Sequence, residues 1–126
     1  MKRIILIFLT VMFYFFGKAD TPGWKSKTED ANYIHRAMKE ITDVMVYDIY
    51  SPPVAARTYA YISVTAYETL IHENHDYISL AEQLHGLQPS PEPEIGKEYS
   101  FTLAAVHALL TVGKSLVISE EKVDTN

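Results

Sequence analysis

The sequence of 126 residues contains no cysteine. That removes disulfides, cysteine nucleophiles and thiolate metal sites from consideration together. Glycine is scarce: the five glycines are isolated, so no glycine-rich phosphate loop exists, and no serine lies in a G-x-S-x-G pattern. Positive charge is also short, with 11 Lys and Arg against 16 Asp and Glu. An acidic surface repels phosphate backbones, which argues against nucleic acid as a partner. Alternation of period two persists nowhere, so strands are not expected. A long apolar run occurs once, at Ile4–Phe16, and its 13 residues fall short of the roughly 20 that span a bilayer.

That run has a different reading. Met1-Lys2-Arg3 is a basic start, and Gly17-Lys18-Ala19 places small residues where a signal peptidase cuts. Residues 1–19 read as a secretory signal peptide cleaved after Ala19, which sends the chain to the periplasm or the extracellular space and leaves no stable membrane span. Cleavage would remove Lys2, Arg3 and Lys18 and leave eight basic residues against 16 acidic ones, a net charge of −8. With no disulfide available, stability must come from burial alone.

Residues 20–28, polar with Pro22 and Gly23, read as a flexible leader, and residues 29–126 as a helical, incomplete domain. Ile34, Met38, Ile41 and Met45 recur at helical spacing and predict a helix over about Glu29–Tyr47. Ser51 is a natural N-cap with Pro52 at the first helical position, so a second helix runs to about Glu73. A short helix is expected over about Tyr77–Leu84, ending at Gly86. Leu87–Glu94, with three prolines, is an extended connector. A last long helix is expected over about Gly96–Val117, and Ser119-Glu120-Glu121 reads as a fresh N-cap and first turn. The fold class is therefore all-α: a partial bundle of about four helices.

Helices two and four carry almost no charge. Such helices must be enclosed, yet four helices of this size each bury a stripe rather than a circumference. The chain is accordingly expected to be the N-terminal portion of a larger helical fold, with a missing C-terminal helical region as its cover. Homo-oligomerisation, or docking on a partner as a stand-alone helical module, are the other resolutions. Ala56, Ala60 and Ser63 share a face that would let a helix approach closely, and the hydroxyls of Tyr59, Tyr61 and Tyr67 need partners.

Few residues suggest chemistry. His72 and His75 stand at a spacing that could share a metal on a helix, but they fall at a helix end beside a turn, and the nearby carboxylates Glu73 and Asp76 fit solvated surface equally well; a small metal protein using the two histidines is the least favoured reading. His107 reads as a hydrogen-bonded core histidine, and Arg57 as a partner for a carboxylate on another element. No catalytic, cofactor-binding or metal residue is assigned.

Ser51-Pro52-Pro53-Val54-Ala55-Ala56-Arg57, then Ala66-Tyr67-Glu68, and later Leu80–Leu87 with Pro89, Pro91, Pro93 and Gly96-Lys97-Glu98-Tyr99, resemble the N-terminal helical region of secreted bacterial proteins in the vanadium-dependent haloperoxidase and acid phosphatase superfamily. The resemblance covers about residues 30–124. It implies an all-α fold, with two helical bundles in full-length members. Those enzymes hold vanadate or phosphate in a cradle of Lys, Arg, Ser, Gly and His. The haloperoxidases oxidise halide with peroxide, and the phosphatases use a histidine nucleophile. The family's motifs, Lys-x6-Arg-Pro, Pro-Ser-Gly-His and Ser-Arg-x5-His, do not occur in the sequence. The resemblance therefore implies a scaffold segment, inactive alone, with no cofactor of its own.

Overall fold

The structure is a computed structural model, and it describes residues 23–74 and 76–123. The proposed signal peptide lies outside the described residues. Among them the chain is all-α. A short helix α1 (Trp24–Thr28) precedes three long ones, α2 (Asn32–Tyr47), α3 (Pro52–Leu70) and α4 (Phe101–Leu116), and a single 3-10 turn follows at Glu120–Lys122. None of these helices is long and apolar enough to cross a membrane.

Helix α2 starts where the Asp30 carboxylate accepts from the Asn32 N–H at 2.9 Å. The expected stripe faces the core: Ile41 and Met45 are buried, and Ile34 and Met38 pack against them. Lys39 and Asp43 pair along the exposed side. The helix ends in a Schellman motif. Tyr50 N–H donates to the Met45 carbonyl and Ile49 N–H to that of Val46. The left-handed position is filled by Ile49, at φ 56°, where glycine is usual.

Ser51 then caps α3 in an extended conformation with Pro52 behind it. Helix α3 ends at Leu70, one turn before the expected Glu73, and α4 begins at Phe101 rather than Gly96. Gly96 has φ +85°, which a helix cannot contain. Ser100 supplies the cap instead, its Oγ accepting from the Leu103 N–H at 3.3 Å. That same hydroxyl reaches the Thr28 carbonyl at 3.4 Å and ties the end of α1, which lies within the stretch expected as a leader, to the start of α4.

Helix α4 is central and packs against both α2 and α3. Ile41 lies against Gly113, and Asp48 bonds the backbone just past α4, so α2 and α4 run parallel. Tyr50 OH donates to the Leu116 carbonyl at 2.7 Å, while His72 stacks near Phe101, so α3 runs antiparallel to both. Flanking on two sides fits the composition of α4, whose one charge among Lys, Arg, Asp and Glu is Lys114 in its last turn. The approach is close at Gly113, where an added Cβ would sit 2.5 Å from Ile41 Cδ1.

The face of Ala56, Ala60 and Ser63 is exposed and receives no helix from the described residues. Burial on α3 falls instead on Thr58, Ile62, Ala66 and Glu68. Tyr59 OH finds Thr42 Oγ1 at 2.9 Å and Tyr67 OH finds the Ile78 carbonyl at 2.9 Å, but Tyr61 is exposed.

The expected helix at Tyr77–Leu84 is not formed. The segment makes turns, with only one helical turn at Leu80, whose carbonyl accepts from Gln83 and Leu84. A helix that short gains little from its own hydrogen bonds, and side chains of α3 claim its backbone groups. Ser119 does not cap a helix with its side chain; its hydroxyl is turned to Asp48.

Candidate functional site

The densest polar cluster lies at the C-terminal end of α3, where the connecting segment folds back. Glu68 sits in the last turn of α3 and is 5% exposed. Burying a carboxylate is costly unless its oxygens are satisfied. Both are: Oε2 accepts from Ser79 Oγ at 2.7 Å and Oε1 from the Leu80 N–H at 2.7 Å. The Ser79 hydroxyl in turn accepts from the Ala81 N–H at 3.0 Å. A charged side chain thereby fixes a loop that has no secondary structure of its own.

His72 lies one turn further on. Its Nε2 is 2.8 Å from Ser90 Oγ, and Ser90 donates to the Glu68 carbonyl at 3.2 Å. A serine hydroxyl has one proton, so the Nε2–H donates to Ser90, and Nδ1 is left as the acceptor. Nδ1 faces Glu92 Oε2 at 3.6 Å. The Phe101 ring lies 6.4 Å from the imidazole and Tyr99 packs beside Phe101. His72, Glu92, Tyr99 and Phe101 border a cavity of about 370 Å³ whose other walls include Lys25, Glu94 and Lys97.

The outline Ser90–His72–Glu92 has the residue types of a hydrolytic triad but not its proton arrangement. The serine proton points at a backbone carbonyl rather than at the imidazole, and Ser90 does not line the cavity. A nucleophile needs its hydroxyl directed at the base and open to substrate. The cluster straps the proline-containing connector to α3.

His75, the second histidine of the metal reading, lies outside the described residues, and His72 is hydrogen-bonded to Ser90. No three His, Asp or Glu side chains among the described residues group to hold a metal ion. His107 is exposed rather than buried, because it lies on the side of α4 away from Ala105 and Leu109. Arg57 is also exposed and forms no ion pair among the described residues. The sequence reading missed Glu68 as a buried anchor; its signal was a lone acid in the last turn of an otherwise apolar helix.

A second cluster closes the other end of the bundle. Asp48 accepts from the Ile118 and Ser119 N–H groups at 2.9 and 3.1 Å and from Ser119 Oγ at 2.7 Å. Desolvation works against ionisation there, but these donors and the Lys122 charge outweigh it and hold the carboxyl below its ordinary range. Lys122 lies over the Tyr47 ring, 4.1 Å from its centroid.

No family model and no curated protein matches the chain. A solved structure does. It is described as the first bacterial vanadium-dependent iodoperoxidase, and the match has a TM-score of 0.71 at 40% sequence identity. It takes in 75% of this chain but 23% of that protein, so the chain spans about a quarter of its length. The chain is thus related to the vanadium-dependent haloperoxidase superfamily.

Proposed function

We propose that this chain is the N-terminal scaffold segment of an exported haloperoxidase- or acid-phosphatase-like protein, and that it lacks the vanadate or phosphate cradle. The observation that carries this reading is the asymmetry of the match, three quarters of this chain against less than a quarter of the iodoperoxidase. The polar clusters at both ends of the bundle support it, since each consists of side chains holding loops. Glu40 Oε2, buried with no hydrogen-bond partner among the described residues, fits a unit that expects further structure against α2. The basic start and apolar run of residues 1–19 support export.

The test is to purify the chain and assay it with vanadate, peroxide and iodide, and separately with a phosphomonoester. The expected result is no turnover with either and no vanadate binding by vanadium NMR. Turnover by the isolated chain would overturn the reading. The alternative is a stand-alone exported interaction or oligomerisation module, favoured by the exposure of Val46, Tyr47, Ile49 and Ile118 around one end of the bundle. A defined, cooperatively folding oligomer by light scattering would favour it.

A further inference from the structure

We propose that His72 is a pH-dependent clasp that tightens the connector over the cavity beside α4 when its ring takes a second proton. With Nε2 donating to Ser90, the neutral ring presents the Nδ1 lone pair to the Glu92 carboxylate at 3.6 Å. Two acceptors facing one another give no attraction. Protonation turns Nδ1 into a charged donor aimed at the same oxygen and converts the contact into an ion pair. The Ser90 bond survives the change, because Nε2 donates in both states. The imidazole is therefore already seated for the ion pair, with Phe101 alongside.

The neighbouring charges leave this one switch free to act. Glu68, from α3, is committed to Ser79 and Leu80. Glu94 is paired with Lys97 at 2.6 Å. Lys25 from α1 and Glu98 from the connector complete the charged groups of the cavity wall, and Phe101 and Tyr99 are its uncharged side. Among these side-chain types the imidazole is the one that serves as a switch in the mildly acidic range. His85, further along the same stretch, lines a different cavity with Tyr61 and Leu84. The clasp works whether or not the chain is part of a haloperoxidase.

Hydrogen exchange of the full chain tests this, read at the Leu87 and Glu94 amides, which bond to Leu84 O and Tyr99 OH on either side of the clasp. After correction for the intrinsic rate, protection is expected to rise about threefold from about pH 8 to about pH 5.5, the scale of a partly exposed ion pair. Glu92→Gln removes the carboxylate at a side chain that is 88% exposed and should fold normally with a flat profile. His72→Gln keeps a donor for Ser90 without the ionisation, and should also be flat, which separates His72 from the other imidazoles. A wild-type profile with no rise overturns the proposal, as does an equal rise in Glu92→Gln.

Discussion

Asp48 and Ser119 are joined twice: the carboxylate accepts from the Ser119 hydroxyl at 2.7 Å and from its backbone N–H at 3.1 Å. One residue ends α2 and the other follows α4, so this pair fastens the two parallel helices at a common end. Truncation by Asp48→Ala removes both bonds and the one from Ile118. The expected cost is about 1–2 kcal/mol in urea unfolding. The pH dependence has a definite sign. A carboxyl held below its ordinary range stabilises the fold fully above the unfolded value, and that stability fades as pH falls through the lower folded value. The difference between wild type and Asp48→Ala should therefore be constant near neutrality and shrink below about pH 4.

Ile49 offers a stabilising change. It is 88% exposed and holds φ 56°, a conformation that a β-branched residue enters at a cost of about 1–2 kcal/mol. Glycine enters it freely, at the expense of greater freedom in the unfolded chain. Ile49→Gly should raise stability by about 0.5–1 kcal/mol, seen as a higher thermal midpoint. A lowered midpoint would mean that Ile49 makes contacts in solution that the isolated chain does not show.

Gly113→Ala tests a tight helix contact. Alanine favours a helix by about 1 kcal/mol over glycine, but its Cβ would meet Ile41 Cδ1 and Cγ1 at 2.5 and 2.7 Å. Ile41 is fully buried, so it has nowhere to turn. Overpacking should win, with a net loss of about 1–2 kcal/mol. The double variant Gly113→Ala with Ile41→Val should recover part of the loss in a mutant cycle.

Glu68→Ala should cost about 1–2 kcal/mol, because it strands the Ser79 hydroxyl and the Leu80 N–H at a partly buried site. The damage should be local first. Amide exchange over residues 79–84 should accelerate before that of α2 or α4.

The sequence made the long helices legible where packing obeys periodicity. Ile41 and Met45 face the core as their spacing requires, and Ser51-Pro52 starts α3 where expected. It misled where several residues compete for one face. Ala56, Ala60 and Ser63 look like a packing surface, yet the neighbour of α3 is α4, and it contacts the side bearing Ile62 and Ala66. Tyr77–Leu84 looks helical by composition, but a carboxylate twelve residues earlier takes its Leu80 N–H. Spacing within a helix is local information; the bond from Glu68 to Leu80 and that from Asp48 to Ser119 are not. The same limit hid His107, whose exposure depends on which side of α4 meets its neighbours.

The segment between Leu70 and Phe101 leaves and returns at the same end of the bundle. Closing the whole loop in one step costs more than closing its parts, by about 0.6 kcal/mol for each doubling of length. Glu68 and His72 divide it. The first closure, Glu68 to Leu80, spans 12 residues, and Ser90 then halves what remains. Each shorter closure belongs to a class that forms in about 10–100 ns. If the pins form early, the chain reaches α4 through smaller closures, and pulse-labelled exchange during refolding should then protect the Leu80 amide before those of α4.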